Sequence, residues 1–493
     1  MYVITDANSE PKPTGKSYLT FSSPNSFTLK VNDTTKHWDG TLEYSADTST
    51  WSTWDGTTEL SSAKSGSENV LYLRGKGNTV ITGDKDKGWS LTGTNISCSG
   101  NIQTLLNYET AESDVNSTLA ERCFHSLFKN CASLITSPEL PATTLATSCY
   151  NSMFYGCTGL TTAPELPATA LAASCYNSMF YGCTSLTTAP ELPATKLMKS
   201  CYKGMFINCT RLIAAPELPA TEIAENCYHR MFDGCTGIIT APALPATTLY
   251  RECYRQMFYG CTSMTTAPRL PATEAAEGCY YAMFYNCSNL VEIPELQSVT
   301  MPKDCYLVMF KGCSSIKLST TKTVEYTQEY RIPTSGDGSI SDFTYLGSMF
   351  DDTGGTFTGT PTINTTYYLS SDNMVVHDTE VATLREYVRS IAAPASHVND
   401  TTIHVTAEEK ALWNAKSDSF TETDPTVPAW AKEASKPSYT ASEVGAVPTS
   451  RTVNGKALSS DITLNASDVG AITMNEVNAA IQTAIGDAIG GSY

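Results

Sequence analysis

The sequence predicts a mixed α/β repeat solenoid, preceded by a small all-β sandwich and followed by a mixed helical and β-hairpin region. Three observations carry that expectation. Cysteine recurs at a fixed interval through the middle of the chain, tryptophan is concentrated in the first hundred residues, and the composition changes again from residue 378. The 493 residues suffice for several units with cores of their own. Hydrophobic residues at 41% against charged residues at 17% fit neither a disordered acidic chain nor a membrane bundle. Lys and Arg together number 32 against 50 Asp and Glu, a formal net charge of -18. Such a chain cannot displace phosphate counterions by blanket charge, so nucleic acid is not an expected partner. Residues 1–10 carry neither a basic stretch nor an apolar run of the secretory kind, and no apolar run reaches spanning length. The expectation is synthesis in a cytosol, without membrane insertion.

Residues 1–100 hold Trp38, Trp51, Trp54 and Trp89 together with alternating runs such as Phe27-Thr28-Leu29-Lys30-Val31 and Asn69-Val70-Leu71-Tyr72-Leu73. Period-2 alternation broken by Gly, Asp and Asn reads as an N-terminal β-sandwich. Core and hairpin packing accounts for most of the tryptophans, with sugar stacking as the functional alternative.

Residues 101–318 contain the repeat, as eight 26-residue units from 123. Cysteines stand at Cys123, Cys149, Cys175, Cys201, Cys227, Cys253, Cys279 and Cys305, each followed eight residues later by another, from Cys131 to Cys313. A period in this range belongs to leucine-rich-repeat solenoids. Counting the first Cys as position 0, positions 0, 1, 4, 5 and 8 are apolar (Cys149, Tyr150, Met153, Phe154 and Cys157 in the second unit). That spacing predicts a short helix packed on one face. Position 7 is always Gly or Asn, which predicts a left-handed cap ending the helix. The L-T-T-A-P segment that follows reads as extended, and P-E-L-P-A-T as the return turn. At the helical rise the two cysteines of a unit lie about 12 Å apart, too far for a bridge. A ladder of buried free thiols is the expected role, with a bridge between equivalent cysteines of neighbouring units as the alternative, and no clustered pair suggests a metal.

The strings M-F-Y-G-C-T-x-L-T-T-A-P-E-L-P resemble the BspA-like leucine-rich repeats, over about 105–318. That resemblance implies a surface adhesin or host-interaction protein. Residues 319–377 are read as an insertion followed by a degenerate capping repeat, in which Gly347-Ser348-Met349-Phe350 restates the motif without cysteine.

Residues 378–417 read as helical, through Val381, Leu384, Val388 and Ile391 and then a capping box at Thr406-Ala407-Glu408-Glu409. Residues 418–493 read as an oligomerisation or attachment region, with a hairpin turn at Asn454-Gly455, the string Ala441-Ser442-Glu443-Val444-Gly445-Ala446 repeated at Ala466-Ser467-Asp468-Val469-Gly470-Ala471, and a final helix from Asn475. The segments 400–410 and 453–464, with the repeated string, resemble those of bacteriophage tail-fibre proteins. The resemblance implies a virion-tail protein made in a bacterial cytoplasm, a homotrimer, and other tail subunits as partners.

Six scattered histidines and no hydrolase, metalloprotease, phosphate-loop or dinucleotide motif leave catalysis without a seat, and no cofactor is expected. The recurrent Glu139, Glu165, Glu191, Glu217 and Glu295 read as exposed turn residues; a depolymerase with a carboxylate pair ranks third among the functions. The variable columns are the candidate binding surface, the alternative being a tolerant solvent face that drifts between copies. Position 6 gives Tyr155, Tyr181, Tyr259 and Tyr285, while positions 2 and 3 give Lys203, His229, Arg230 and Arg255. An aromatic and cationic face of this kind suits a host cell-surface glycan or protein. A tail fibre or receptor-binding protein is the leading reading, and a bacterial surface adhesin the alternative.

Overall fold

The computed structural model describes residues 18–376, apart from 34, 85–86, 112–118 and 341–345, together with 452–453 and 456–457. The chain divides into two compact units, Met1–Tyr387 and Val388–Tyr493.

The first unit opens with two antiparallel sheets. Its strands are β1 (Leu19–Ser23), β2 (Thr28–Val31), β3 (Thr41–Ser45), β4 (Ser52–Thr53), β5 (Leu60–Ser61), β6 (Ala63–Ser65), β7 (Glu68–Lys76), β8 (Trp89–Thr92) and β9 (Ser97–Ser99), followed by the short α1 (Thr104–Asn107). One sheet runs β4-β3-β7-β1-β9 with β6 also on β7; the other runs β5-β2-β8. Alternation puts Leu19 and Phe21 inward from β1, and Leu71 and Leu73 from β7. Trp38, Trp54 and Trp89 are buried in that core, with successive ring centroids 5.1 and 5.6 Å apart. Trp51 alone of the four is half-exposed, and it lies 4.0 Å from the Arg74 guanidinium that pairs with Glu43 at 2.6 Å.

The sandwich also serves as the first layer of the repeats. Ile81 N–H donates to Cys123 O at 2.8 Å, Trp89 N–H to Leu127 O at 2.7 Å, and Ile135 N–H to Ile96 O at 2.9 Å. Phe21 and Trp89 both meet Phe128 edge-on. Backbone groups that an open first coil would leave unpaired are thereby satisfied.

The expected helix in each coil is absent, and its place is taken by a staircase of turns with a true period of four. Positions −1, 3 and 7 take left-handed φ in every unit: 55° at Ser148, 55° at Ser152 and 71° at Gly156 in the second. Backbone donors alternate accordingly. Asn151, Met153, Tyr155 and Cys157 donate three residues back within the coil, whereas Ser148, Tyr150, Ser152, Phe154 and Gly156 donate to the next coil at 2.7–3.0 Å. Each left-handed residue resets the chain direction, so the apolar pairs 0/1 and 4/5 return to the same side without the drift of a 3.6-residue helix. Half of the backbone bonding is therefore between coils, and stacking is built into the hydrogen bonds.

The buried columns follow from that register. Phenylalanines at position 5 stack from Phe128 to Phe350 with centroids 5.5–5.8 Å apart. Position 1 stacks from Phe124 to Tyr306 at 5.6–6.0 Å. From Cys157 to Cys313 the position 8 thiols donate to the position 5 carbonyl of the preceding coil at 2.9–3.1 Å. All seventeen cysteines are buried and unbridged, and burial holds the thiols of Cys131, Cys175 and Cys209 up at about 12. On the opposite side of the coil the extended segments touch through single parallel bridges such as Thr162↔Thr188 and Lys196↔Glu222, because prolines interrupt longer ladders.

The last coil is covered as the first one is. After β10 (Glu292–Pro294) and β11 (Thr300–Met301), β12 (Lys317–Ser319), β13 (Tyr326–Arg331), β14 (Ser339–Ile340), β15 (Gly354–Gly355), β16 (Thr366–Ser370) and β17 (Met374–Val376) close it. The order β13-β16-β12-β15 forms a small sheet and β17 pairs with β10. Ser348 and Asp352 keep the left-handed φ, and Phe310 N–H donates to Met349 O at 3.0 Å.

In the second unit, β18 (Thr452–Val453) pairs antiparallel with β19 (Lys456–Ala457). The helices expected at 378–417 and from 475, and the strings resembling tail-fibre segments elsewhere in 397–474, lie outside the described residues.

Candidate binding face

Burial of positions 0, 1, 4, 5 and 8 turns positions −2, −1, 2, 3, 6 and 7 outward, and the inter-coil hydrogen bonds align each position into a column along the stack. Among the sequence-predicted residues, Tyr155 and Tyr181 stack at 4.4 Å and Tyr259 and Tyr285 at 4.7 Å. They form two pairs rather than one row. Ile207 and Asp233, both 6% exposed, hold the same column between them. Because rings stack along the column, their edges and hydroxyls face outward and their faces are largely covered; Lys129 lies 5.6 Å above Tyr155 at one end.

The cationic strip is largely compensated from within. Arg230 Nε lies 2.6 Å from Asp233 Oδ2, and burial raises the Asp233 carboxyl despite that partner. Arg255 sits 3.8 Å over the Tyr281 ring and 3.7 Å from Glu252. His229 is held by Asn226 at 2.9 Å, and burial, with Lys203, Arg255 and Arg230 nearby, pushes its pKa down to about 3. It is a neutral side chain near pH 7. Lys203, half-buried, makes no ion pair among the described residues. From Lys199 onward position −2 alternates in sign, with Lys199 2.9 Å from Glu225 and Arg251 within 3.7 Å of Glu225 and 3.6 Å of Glu277. These contacts favour the coil register.

Two features escaped the sequence reading. One is the serines at positions 3 and −1, of which Ser152, Ser174, Ser178 and Ser200 are half-buried beside the left-handed steps whereas Ser126 and Ser148 are buried. The extended side carries a β-branched column at position 12, from Ile135 through Thr161, Thr187, Ile213, Ile239 and Thr265 to Val291, with Ile213 and Ile239 56% and 53% exposed. Its invariant branching at a 26-residue interval was the available signal. The recurrent glutamates Glu139, Glu165, Glu191 and Glu217 fall one coil apart and are exposed, while Glu295, three coils further on, is half-buried. Among the described residues no group of His, Cys, Asp and Glu is arranged to hold a metal, and no helix is long and apolar enough to cross a membrane.

Residues 121–265 and 218–332 match the family model described as BspA type leucine rich repeat region, in six copies. No curated protein and no solved structure matches the chain. The central part of this chain is thus built of BspA-type leucine-rich repeats, in a form with almost no helix.

Proposed function

We propose that the protein is a surface-recognition protein that performs no covalent chemistry, with the outward side of the staircase as its binding face. One observation supports this most: positions 0, 1, 4, 5 and 8 scarcely change between coils and are buried, whereas positions −2, 2, 3 and 6 change chemistry on the same frame. Constant inside and varied outside is how a repeat frame serves recognition. BspA-type repeats suggest adhesion or surface binding.

Within that reading the chain is a bacteriophage tail fibre or receptor-binding subunit, because of the strings at 400–410 and 453–464. Its partners are a host glycan or protein and other tail subunits, and residues 418–493 hold a homotrimer. The repeat match itself favours a second reading, a bacterial surface adhesin. Labelled full-length protein, sized by light scattering and incubated with bacterial strains and with animal cells, separates them. A trimer that binds a subset of bacteria is expected. A monomer that binds animal cells alone favours the adhesin, and binding to no cell overturns recognition altogether.

A further inference from the structure

We infer that the second and third coils carry a docking site for a neutral polysaccharide chain laid across the stack. This rests on the staircase side being the recognition face, and narrows it to one place and one ligand chemistry. Between Lys129 and Lys199 no outward staircase position is charged, although the outward positions of every other coil include at least one charge and the chain is -18 overall. In place of charge stand Asn151, Ser152 and Tyr155 in one coil and Asn177, Ser178 and Tyr181 in the next. Tyr, Ser and Asn are residues that adaptable polar binding surfaces favour.

Both triads are built alike. Ser152 Oγ donates to Asn151 Oδ1 at 2.8 Å, and Ser178 Oγ donates to Asn177 Oδ1 at 2.8 Å. Each amide is thereby oriented with its Nδ2 as the donor end. The tyrosine rings approach to 4.4 Å, closer than any pair in the buried ladders. Their phenol edges form a half-buried ridge beside the amides. Hydrogen-bonded chains repeat at about 4.8 Å, comparable to one sugar ring in an extended polysaccharide. Successive sugars would therefore meet successive identical triads. An anionic chain would find cations only at the borders of the patch, at Lys129 and in the next coil at Lys199 and Lys203, against a net charge of -18.

Affinity electrophoresis of the full-length protein through gels containing galactomannan, dextran, mixed-linkage β-glucan, alginate or polygalacturonate tests the inference. Retardation by at least one neutral polymer is expected, weakened at least tenfold in N151A/N177A and unchanged in E165Q/E191Q, which alters exposed turn residues of the same two coils. Y155F/Y181F, which keeps the rings, serves as the second variant should the first fail to fold, and is expected to weaken retardation several-fold. Absence of retardation by every neutral polymer, or retardation that only K203A/R255A weakens, overturns the neutral site. Parallel binding to intact cells keeps the two readings apart: cell binding lost in K203A/R255A but kept in N151A/N177A moves the site and leaves surface recognition standing, whereas no cell binding removes recognition itself.

Discussion

The sandwich and the coils solve the same problem, pairing backbone groups around an apolar core, in opposite ways. In the sandwich each strand meets different neighbours, and the core is a jigsaw in which Trp38, Trp54 and Trp89 each have a distinct environment. In the coils every neighbour is a copy, so one hydrogen-bond scheme and one ring stack are repeated from Phe128 to Phe350. A change in the sandwich is therefore local, whereas a change in a column interrupts contacts on both sides.

Interrupting the Phe column should produce the largest effect. Phe206→Ala removes a ring stacked on both Phe180 and Phe232 and should cost about 3–5 kcal/mol. Denaturant unfolding followed by tyrosine near-UV dichroism should shift well before the tryptophan fluorescence of the sandwich does; coincident shifts would show that the two regions are not energetically distinct.

Position 7 sharpens the comparison further. A Cβ on Gly234 would lie 2.2 Å from Asn208 Oδ1 at φ +70°, whereas on Gly260, at φ +68°, the nearest atom is 3.9 Å away. Gly260→Ala should cost about 1–2 kcal/mol from backbone conformation alone. Gly234→Ala should cost more, and adding Asn208→Gly should restore the difference, as read from unfolding midpoints.

His229 makes a smaller, pH-dependent contribution. Its pKa is lowered from 6.5 to about 3 on folding, so between those values the unfolded chain binds more protons and stability falls as pH falls. His229→Gln should flatten that slope by at most about 1.4 kcal/mol per pH unit, measured as unfolding free energy from pH 7 to 4. An unchanged slope would mean that His229 is solvated.

The smallest effect is expected inside the tyrosine column. The hydroxyls of Tyr150, Tyr202 and Tyr254 are buried and have no hydrogen-bond partner. Tyr202→Phe should be neutral or stabilising by up to about 1 kcal/mol, and a loss greater than that would reveal a bonded hydroxyl.

The sandwich's strands were legible because period 2 is unambiguous over runs such as 69–73. The repeat's boundaries and buried positions were legible too, from cysteine and phenylalanine. Its backbone was not, since positions 0, 1, 4, 5 and 8 span too few residues to separate a period of 3.6 from one of 4. Gly and Asn at position 7 marked one left-handed step, but at −1 and 3 only Gly204, Asn226, Gly278 and Asp304 are residues that favour it, and the other twelve are Ser, Arg, Glu, Gln, Ala and Val. The tyrosines of the binding face were legible as a column, whereas the seating of Arg255 over the Tyr281 ring of the next coil depends on the register between coils.

Val308 gives the most direct test of the staircase. It is β-branched and holds φ 51°, a conformation that disfavours any residue with a Cβ. Val308→Gly should raise the midpoint of the tyrosine near-UV transition, by about 1 kcal/mol of relieved backbone cost. In a helical coil the same substitution would instead lose up to about 0.5 kcal/mol, since Val is itself a poor helix former, and a lowered midpoint would contradict the period-four backbone on which the binding face depends.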